Sequence, residues 1–343
     1  MITCPYCGGE LGSELAGGGG IRLAPCGKCL NPIVLRGDLD QPAAPVPGWE
    51  DIRYIAQPVS ITGAILADMP KTIENLPVLP EFSQRILAMV RDANVTLADL
   101  AAIVSEDQTL AIKLLRLANS VTYGGLQSIT DIKAACARLG LKTISNAVQV
   151  VANGNLYITG NALFRERMRM LWRHALATAH CASELAHVLA LPCSESFFVA
   201  GLVHDVGKLV ILEIVSSRYR GPLSGLRDNP KLLLEVESRL APFIGLHVTS
   251  KWKLPSDFIT TTFCHKSPES TPAANLIPMV HSVALAEMIA EVSGFGTGEE
   301  AVSLSTHPSA HALGLNDIKL AALRVELEEK LAPLLDISPD AEA

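Results

Sequence analysis

The chain is poor in aromatic residues, at 5%, and in charged ones, at 18%, and each shortage narrows what it is. With 49% apolar residues against so little charge, the composition is that of a folded protein and not of a disordered one. An excess of positive charge is also lacking: the formal net charge of -7 argues against a bulk nucleic-acid binder. No apolar run reaches the roughly 20 residues needed to cross a bilayer. The most apolar stretch, residues 197–215, is interrupted by His204, Asp205, Lys208 and Glu213. The chain begins Met1-Ile2-Thr3-Cys4, without a basic region followed by an apolar one, so no secretory signal is read and a cytoplasmic location is expected.

What is present is more specific. At 343 residues the length suggests about two domains. Eight cysteines fall into two groups. Cys136, Cys181, Cys193 and Cys264 are scattered through apolar helical text and read as small core residues. Cys4, Cys7, Cys26 and Cys29 form two Cys-x-x-Cys knuckles, a spacing at which each pair grips a tetrahedral ion from one side. Structural zinc is the expected occupant, with redox dithiols or iron as the alternatives. The segment resembles a zinc ribbon, too small to fold without its metal, with a glycine-rich loop over residues 12–20. Residues 1–36 carry Arg22, Lys28 and Arg36 against Glu10 and Glu14. Four thiolates on zinc would add about -2, so nucleic-acid binding is not indicated and a structural or partner-binding role is preferred.

Residues 37–58 hold Pro42, Pro45, Pro47 and Pro58 and no helical period, which reads as a semi-rigid linker with Trp49 and Tyr54 available to dock on the following domain. From about Ile61 the text is helical: apolar residues recur at helical spacing over 83–91, 98–104 and 110–118, and Thr96 with Asp99 marks a helix start. Helices are also expected over 273–293 and 317–335, separated by the Gly294-Phe295-Gly296-Thr297-Gly298 loop, which follows a helix and lacks the Lys-Ser/Thr ending of a phosphate loop. The last helix, with Leu320, Leu323, Val325, Leu327 and Leu331 on one side, is expected to pack back on the bundle. The fold class is therefore mainly α.

An ordered set of motifs carries a family resemblance. Leu76-Pro77-Val78-Leu79-Pro80, Ser105-Glu106-Asp107-Gln108, Lys113 through Ser120, Ala137-Arg138-Leu139-Gly140, Leu171-Trp172-Arg173-His174, Gly201-Leu202-Val203-His204-Asp205-Val206-Gly207-Lys208 and Cys264-His265-Lys266 resemble the HDOD proteins, bacterial HD-related output domains. The expected organisation is a zinc-ribbon-like module over 1–36, a Pro-rich linker over 37–69, an HDOD-like helical domain over 70–267 and a helical extension over 268–343.

The HD superfamily, which HDOD proteins resemble, includes phosphohydrolases that hold a divalent metal with a His, a His-Asp pair and a later Asp, lowering the pKa of a bound water and polarising a phosphate. Carried onto this chain, the resemblance implies His174, His204 and Asp205 as ligands, with Lys208 at the position of an accompanying lysine. His247 and His265 match further histidines of a cyclic-dinucleotide-cleaving branch. The pattern departs where the closing Asp would stand, at Ala284, with Glu287 one turn further on; Lys266 replaces a second His, and the branch's Gly-Tyr-Pro signature is absent. A buried His-Asp network without metal is the competing reading. His180, Glu184 and His187 share a helical face read as an exposed stripe, and Arg165, Arg167, Arg169 and Arg173 as a solvated basic face.

The resemblance thus implies a non-enzymatic signalling module acting through protein contacts, with a degenerate HD site. Its alternatives are a metal-dependent phosphohydrolase or cyclic-dinucleotide phosphodiesterase, and a domain that senses a nucleotide in the same cleft.

Overall fold

The computed structural model describes residues 3–11, 21–36, 43–46, 49, 52, 60–77, 80–89, 95–124, 127–162, 164–217, 223–298 and 303–336. Tyr54 and the 12–20 loop lie outside them. In chain order come strands β1 (Ile21–Pro25), β2 (Pro32–Arg36) and β3 (Ala44–Pro45), then helices α1 (Ile61–Asn75), α2 (Glu81–Met89), α3 (Leu97–Glu106), α4 (Gln108–Ala118) and α5 (Ile132–Gly154). They are followed by α6 (Arg165–Val188), α7 (Ser194–Val203), α8 (Val206–Ser217), α9 (Ser224–Arg227), α10 (Pro230–Lys251), α11 (Ser256–Cys264), α12 (Ile277–Ala290), α13 (Pro308–Ala312) and α14 (Asp317–Asp336). The fold is mainly α behind a small Cys-rich sheet.

Polar residues start these helices where the first amide groups lack partners, each such cap contributing about 1 kcal/mol. Ser60 accepts from Gly63 N, Asp107 from Leu110 N, Asp131 from Ala134 N and Asn229 from Leu232 N. Thr96 starts α3 as expected, and it forms a reciprocal capping box with Asp99. The chain packs as two compact units, residues 1–76 with 203–284 and residues 77–202 with 285–343.

In the first unit, β1 and β2 form a hairpin with Ile21 opposite Arg36 and Pro25 opposite Pro32, so the second Cys knuckle is its tip. Ala44–Pro45 adds a third strand to β2, so part of the Pro-rich stretch is sheet and not linker. Pro45 lacks a donor, which an edge position tolerates. Ala24, Ile33 and Leu35 share a core with Cys4 and Cys26. Leu23 and Val34, paired on the opposite face, are buried as well, because β1 packs on α10 and α11. The ribbon is docked, not swinging on a tether. Helix α10 also packs on α8, at a distance only glycine permits: a Cβ on Gly207 would lie 2.0 Å from Ala241 O. Lys251, at the end of α10, caps the last turn of α1 by donating to the Ile73 and Glu74 carbonyls at 2.5 and 2.7 Å.

In the second unit, α2, α3 and α4 pack on α5, and α14 packs on α6. The motif residues Asn119 and Arg138 brace one loop: Asn119 Nδ2 donates to Ile129 O and its Oδ1 accepts from Ile129 N, both at 2.8 Å, while Arg138 donates to Ala118 O and Gln127 O. Gly140 takes φ +75 at a break inside α5, a backbone state that glycine enters without strain.

Three expectations are corrected here. His180 and Glu184 are buried and only His187 of that face is exposed; Glu184 draws Lys142 to 3.3 Å and Lys330 to 3.5 Å, so the acid tethers α5 and α14 to α6. Val325 on α14 is 67% exposed while Leu320, Leu323, Leu327 and Leu331 are buried, since it lies two positions off the buried stripe. Cys193 is exposed in the turn before α7, where it takes φ +57, while the other three scattered cysteines are buried. The arginine face is solvated at Arg165 and Arg173, and Arg169 pairs with Glu166 at 3.1 Å.

Among the described residues one helical stretch, Ala274–Phe295, is, against the expectation above, long and apolar enough to cross a membrane, and 61% of its most apolar window is buried inside the protein.

Burial opposes ionisation of Glu184, but Lys142, His180 and Lys330 outweigh it and hold the carboxyl below its usual range. A carboxyl depressed in the fold contributes stability above its unfolded pKa, lost as pH falls through its folded value. Glu184→Gln is expected to lower stability by about 1–3 kcal/mol at pH 7, with the difference from wild type fading below about pH 4, as read by urea unfolding across pH.

Candidate functional site

The four knuckle cysteines converge. Their sulfurs lie within 4.8 Å of one another, with Cys4 to Cys29 at 3.7 Å and Cys7 to Cys26 at 3.9 Å. A tetrahedron of Zn–S bonds of about 2.3 Å has edges of about 3.8 Å, so the residues fit zinc. The two knuckles repeat one backbone design: Gly8 N donates to Cys4 O and Leu30 N to Cys26 O, both at 2.9 Å. Gly8 turns at φ +66 and Leu30 at φ +65, a conformation that costs a side-chain-bearing residue about 1–2 kcal/mol. Burial pushes the Cys4 thiol up to about 12 and raises that of Cys29, while the Gly9 amide brings Cys7 down to about 7. Thiolates so buried require a cation, and a bound dication would supply it.

The His-Asp pair is the two-residue turn between α7 and α8. Asp205 stands at the head of α8, where the helix dipole favours negative charge. Lys208 Nζ lies 2.5 Å from Asp205 Oδ2, His204 Nε2 is 3.3 Å from the same oxygen, and His265 Nε2 is 3.7 Å from Oδ1. All four residues are at most 4% exposed. Burial works against the Asp205 carboxylate, yet Lys208 first, then His204 and His265, hold it well below the ordinary carboxylate range. His265 Nδ1 donates to Thr262 O at 2.9 Å, and the His204 and His265 rings meet edge to face at 5.0 Å.

In the other unit, His174 Nδ1 donates to Phe295 O at 2.9 Å. A carbonyl only accepts, so the proton is on Nδ1 and Nε2 keeps the lone pair in the neutral ring. Nε2 stands 3.9 Å from Glu287 Oε1, both side chains buried. Phe295 is held in turn: Glu291 accepts from Thr297 N and Gly298 N at 2.9 and 3.0 Å, and Arg167 donates to Thr297 O at 2.6 Å. The glycine loop is thus a brace for His174. Ala284 is a buried apolar side chain, and Glu287, one turn further along α12, is the carboxylate beside His174. Its signal in the sequence is that it is the single acid of α12.

His247 does not join the histidines expected beside it. Its Nε2 donates to Leu30 O at 3.0 Å and its ring lies edge-on to Phe243. It fastens the ribbon. Burial brings its pKa down to about 4, so it donates as a neutral ring.

Asp205→Asn leaves the Lys208 ammonium buried without its carboxylate. The expected cost is about 3–5 kcal/mol, and adding Lys208→Met should recover most of it. Denaturant midpoints of the single and double variants check this.

The descriptive model of the HDOD domain matches residues 76–268, more than half of the chain. The crystal structure of an HDOD domain protein of unknown function from Geobacter sulfurreducens is 25% identical, covers 80% of this chain and 96% of its own, and superposes with a TM-score of 0.65. A structure named as a candidate signal transduction protein, from Marinobacter aquaeolei VT8, shares the fold at 18% identity and a TM-score of 0.60, covering 89% of this chain and 75% of its own. An uncharacterized protein of Treponema pallidum (strain Nichols) is 25% identical over 241 residues, 66% of this chain, and the chain spans only 44% of that curated relative. The His-Asp turn, the braced Asn119 loop and the break at Gly140 all lie within the matched segment, and on that match the chain belongs to the HDOD domain family.

Proposed function

We propose that the chain is a non-enzymatic signalling output module that acts through protein contacts, with the Cys4, Cys7, Cys26 and Cys29 centre holding structural zinc. One observation carries the non-enzymatic reading: where the HD pattern has its closing Asp, this chain has the buried apolar side chain of Ala284, which offers an ion no ligand. Asp205 is in turn neutralised without an ion by Lys208, whose Nζ stands 2.5 Å from Oδ2. The neighbour from Marinobacter aquaeolei VT8, named for signal transduction, is consistent with this use of the fold. Protein partners and a cytoplasmic setting belong to the same reading.

A second reading has its own support. His174 has its Nδ1 proton fixed by a carbonyl, the arrangement that typically orients a metal-ligating imidazole, and Glu287 is the carboxylate beside it. With His204 and Asp205, these are the residue types a hydrolytic divalent metal takes, and the family resemblance assigns His174, His204 and Asp205 to one ion. Such an ion would lower the pKa of a bound water and polarise a phosphate ester; the chain's own part would be to orient His174 through Phe295 and to hold Asp205 ionised.

The two readings separate in one experiment. Purified protein, supplied with Mn²⁺, Mg²⁺ or Fe²⁺, is assayed against phosphate esters and cyclic dinucleotides beside Asp205→Ala. No turnover by either protein, with Asp205→Ala only less stable, is the expected result. Turnover that Asp205→Ala abolishes would establish the hydrolase instead.

A further inference from the structure

The second knuckle reaches beyond its own cysteines. Asn31, fully buried, follows Cys29 by two residues, and its Nδ2 donates to Cys29 Sγ at 3.5 Å. The same side chain turns its oxygen the other way: Oδ1 accepts from Trp49 Nε1 at 3.2 Å and from Ile52 N at 2.8 Å. Trp49 lies flat on Phe243, with centroids 5.3 Å apart and planes 6° apart, and meets Phe263 edge-on at 5.2 Å. One residue before Asn31, the Leu30 carbonyl receives His247 Nε2 at 3.0 Å. Phe243 and His247 are one turn apart on α10 and touch each other at 4.9 Å. Two adjacent knuckle residues therefore fasten one turn of one helix, Leu30 directly and Asn31 through Trp49.

We propose that this knuckle is a metal-dependent latch on α10: a zinc-class ion at the four cysteines keeps Leu30 and Asn31 where they seat His247 and Trp49, and loss of the ion releases that face. The inference rests on reading Cys4, Cys7, Cys26 and Cys29 as a metal site. Its physical basis is the size of the ribbon. So small a sheet draws most of its folding free energy from the ion, and Leu30 holds a left-handed backbone, φ +65, that the closed knuckle imposes. Once the knuckle relaxes, Leu30 returns to the conformations ordinary residues prefer, and its carbonyl turns away from His247. Cys29 then no longer fixes Asn31, and the Trp49 indole loses its acceptor.

Release would have a reach beyond the ribbon. Trp49 is a common wall of two cavities, of about 360 and 290 Å³, so its departure would bare Phe243 and Phe263. Gly207 of α8, one residue from Lys208, packs so closely on this turn of α10 that an added Cβ would lie 2.8 Å from the backbone N of Gly245, between Phe243 and His247. The latch thus grips the helix that bears on the His-Asp turn, which gives ion availability a route into the output module.

The full chain is loaded with zinc, its metal content measured, and the ion removed with a chelator. Two signals are followed: the indole Nε1–H resonance of Trp49, assigned with Trp49→Phe, and amide exchange over residues 241–249 against α6 as internal reference. Removal should shift the indole resonance and raise exchange over 241–249 at least tenfold with α6 unchanged, and zinc should reverse both. Asn31→Ala should keep one zinc per chain and still show the shifted indole. The latch is overturned if the indole and the 241–249 exchange stay put while metal analysis shows the ion gone, or if Asn31→Ala matches wild type. A chain whose four cysteines take up no zinc would overturn the metal reading itself, and the latch with it.

Discussion

The charge of Asp205 is the constraint around which the first unit is built. A carboxylate at 4% exposure is tolerable only with compensation, and the compensation comes from three directions: Lys208 from the next turn of α8, His204 from the adjacent position, and His265 from the end of α11. Beside this centre α8 and α10 pack backbone against backbone at Gly207, where a Cβ would lie 2.0 Å from Ala241 O, while Gly245 leaves room for Thr262 of α11, whose Cγ2 would lie 2.5 Å from an added Cβ. Removing the charge while keeping the close packing would leave Lys208 as the group in need of a partner.

Much of this was legible in the sequence because it is local. Thr96 and Asp99 announce a helix start through contacts three residues apart, and paired Cys-x-x-Cys knuckles announce their geometry because four thiols within reach of one ion leave few alternatives. The unread parts depend on what packs against a face. His180 and Glu184 look like a solvated stripe from α6 alone; they are buried because Lys142 and Lys330 arrive from α5 and α14 to meet the acid. His247 occupies a position that the resemblance matches to a further histidine of the cyclic-dinucleotide-cleaving branch, and nothing in its own helix reveals that Leu30, 217 residues earlier, turns a carbonyl toward it. Glu287 was passed over because one helical turn separates it from the expected position, yet its Oε1 stands 3.9 Å from His174 Nε2.

The two donor sets differ in how their burial is compensated. The cysteine set lies wholly within one unit, its sulfur edges match those of a tetrahedral ion, and burial raises two of its thiols. The His and carboxylate set is divided, His174 and Glu287 belonging to one unit and His204 and Asp205 to the other, and its most buried carboxylate already has an ammonium. A soft thiolate set binds zinc tightly by donor type, whereas the charge of Asp205 is already balanced by Lys208 without an ion. On the proposed reading the ion sits at the ribbon, and α10, which packs on α8 at Gly207, is the element through which its loss would reach the His-Asp turn.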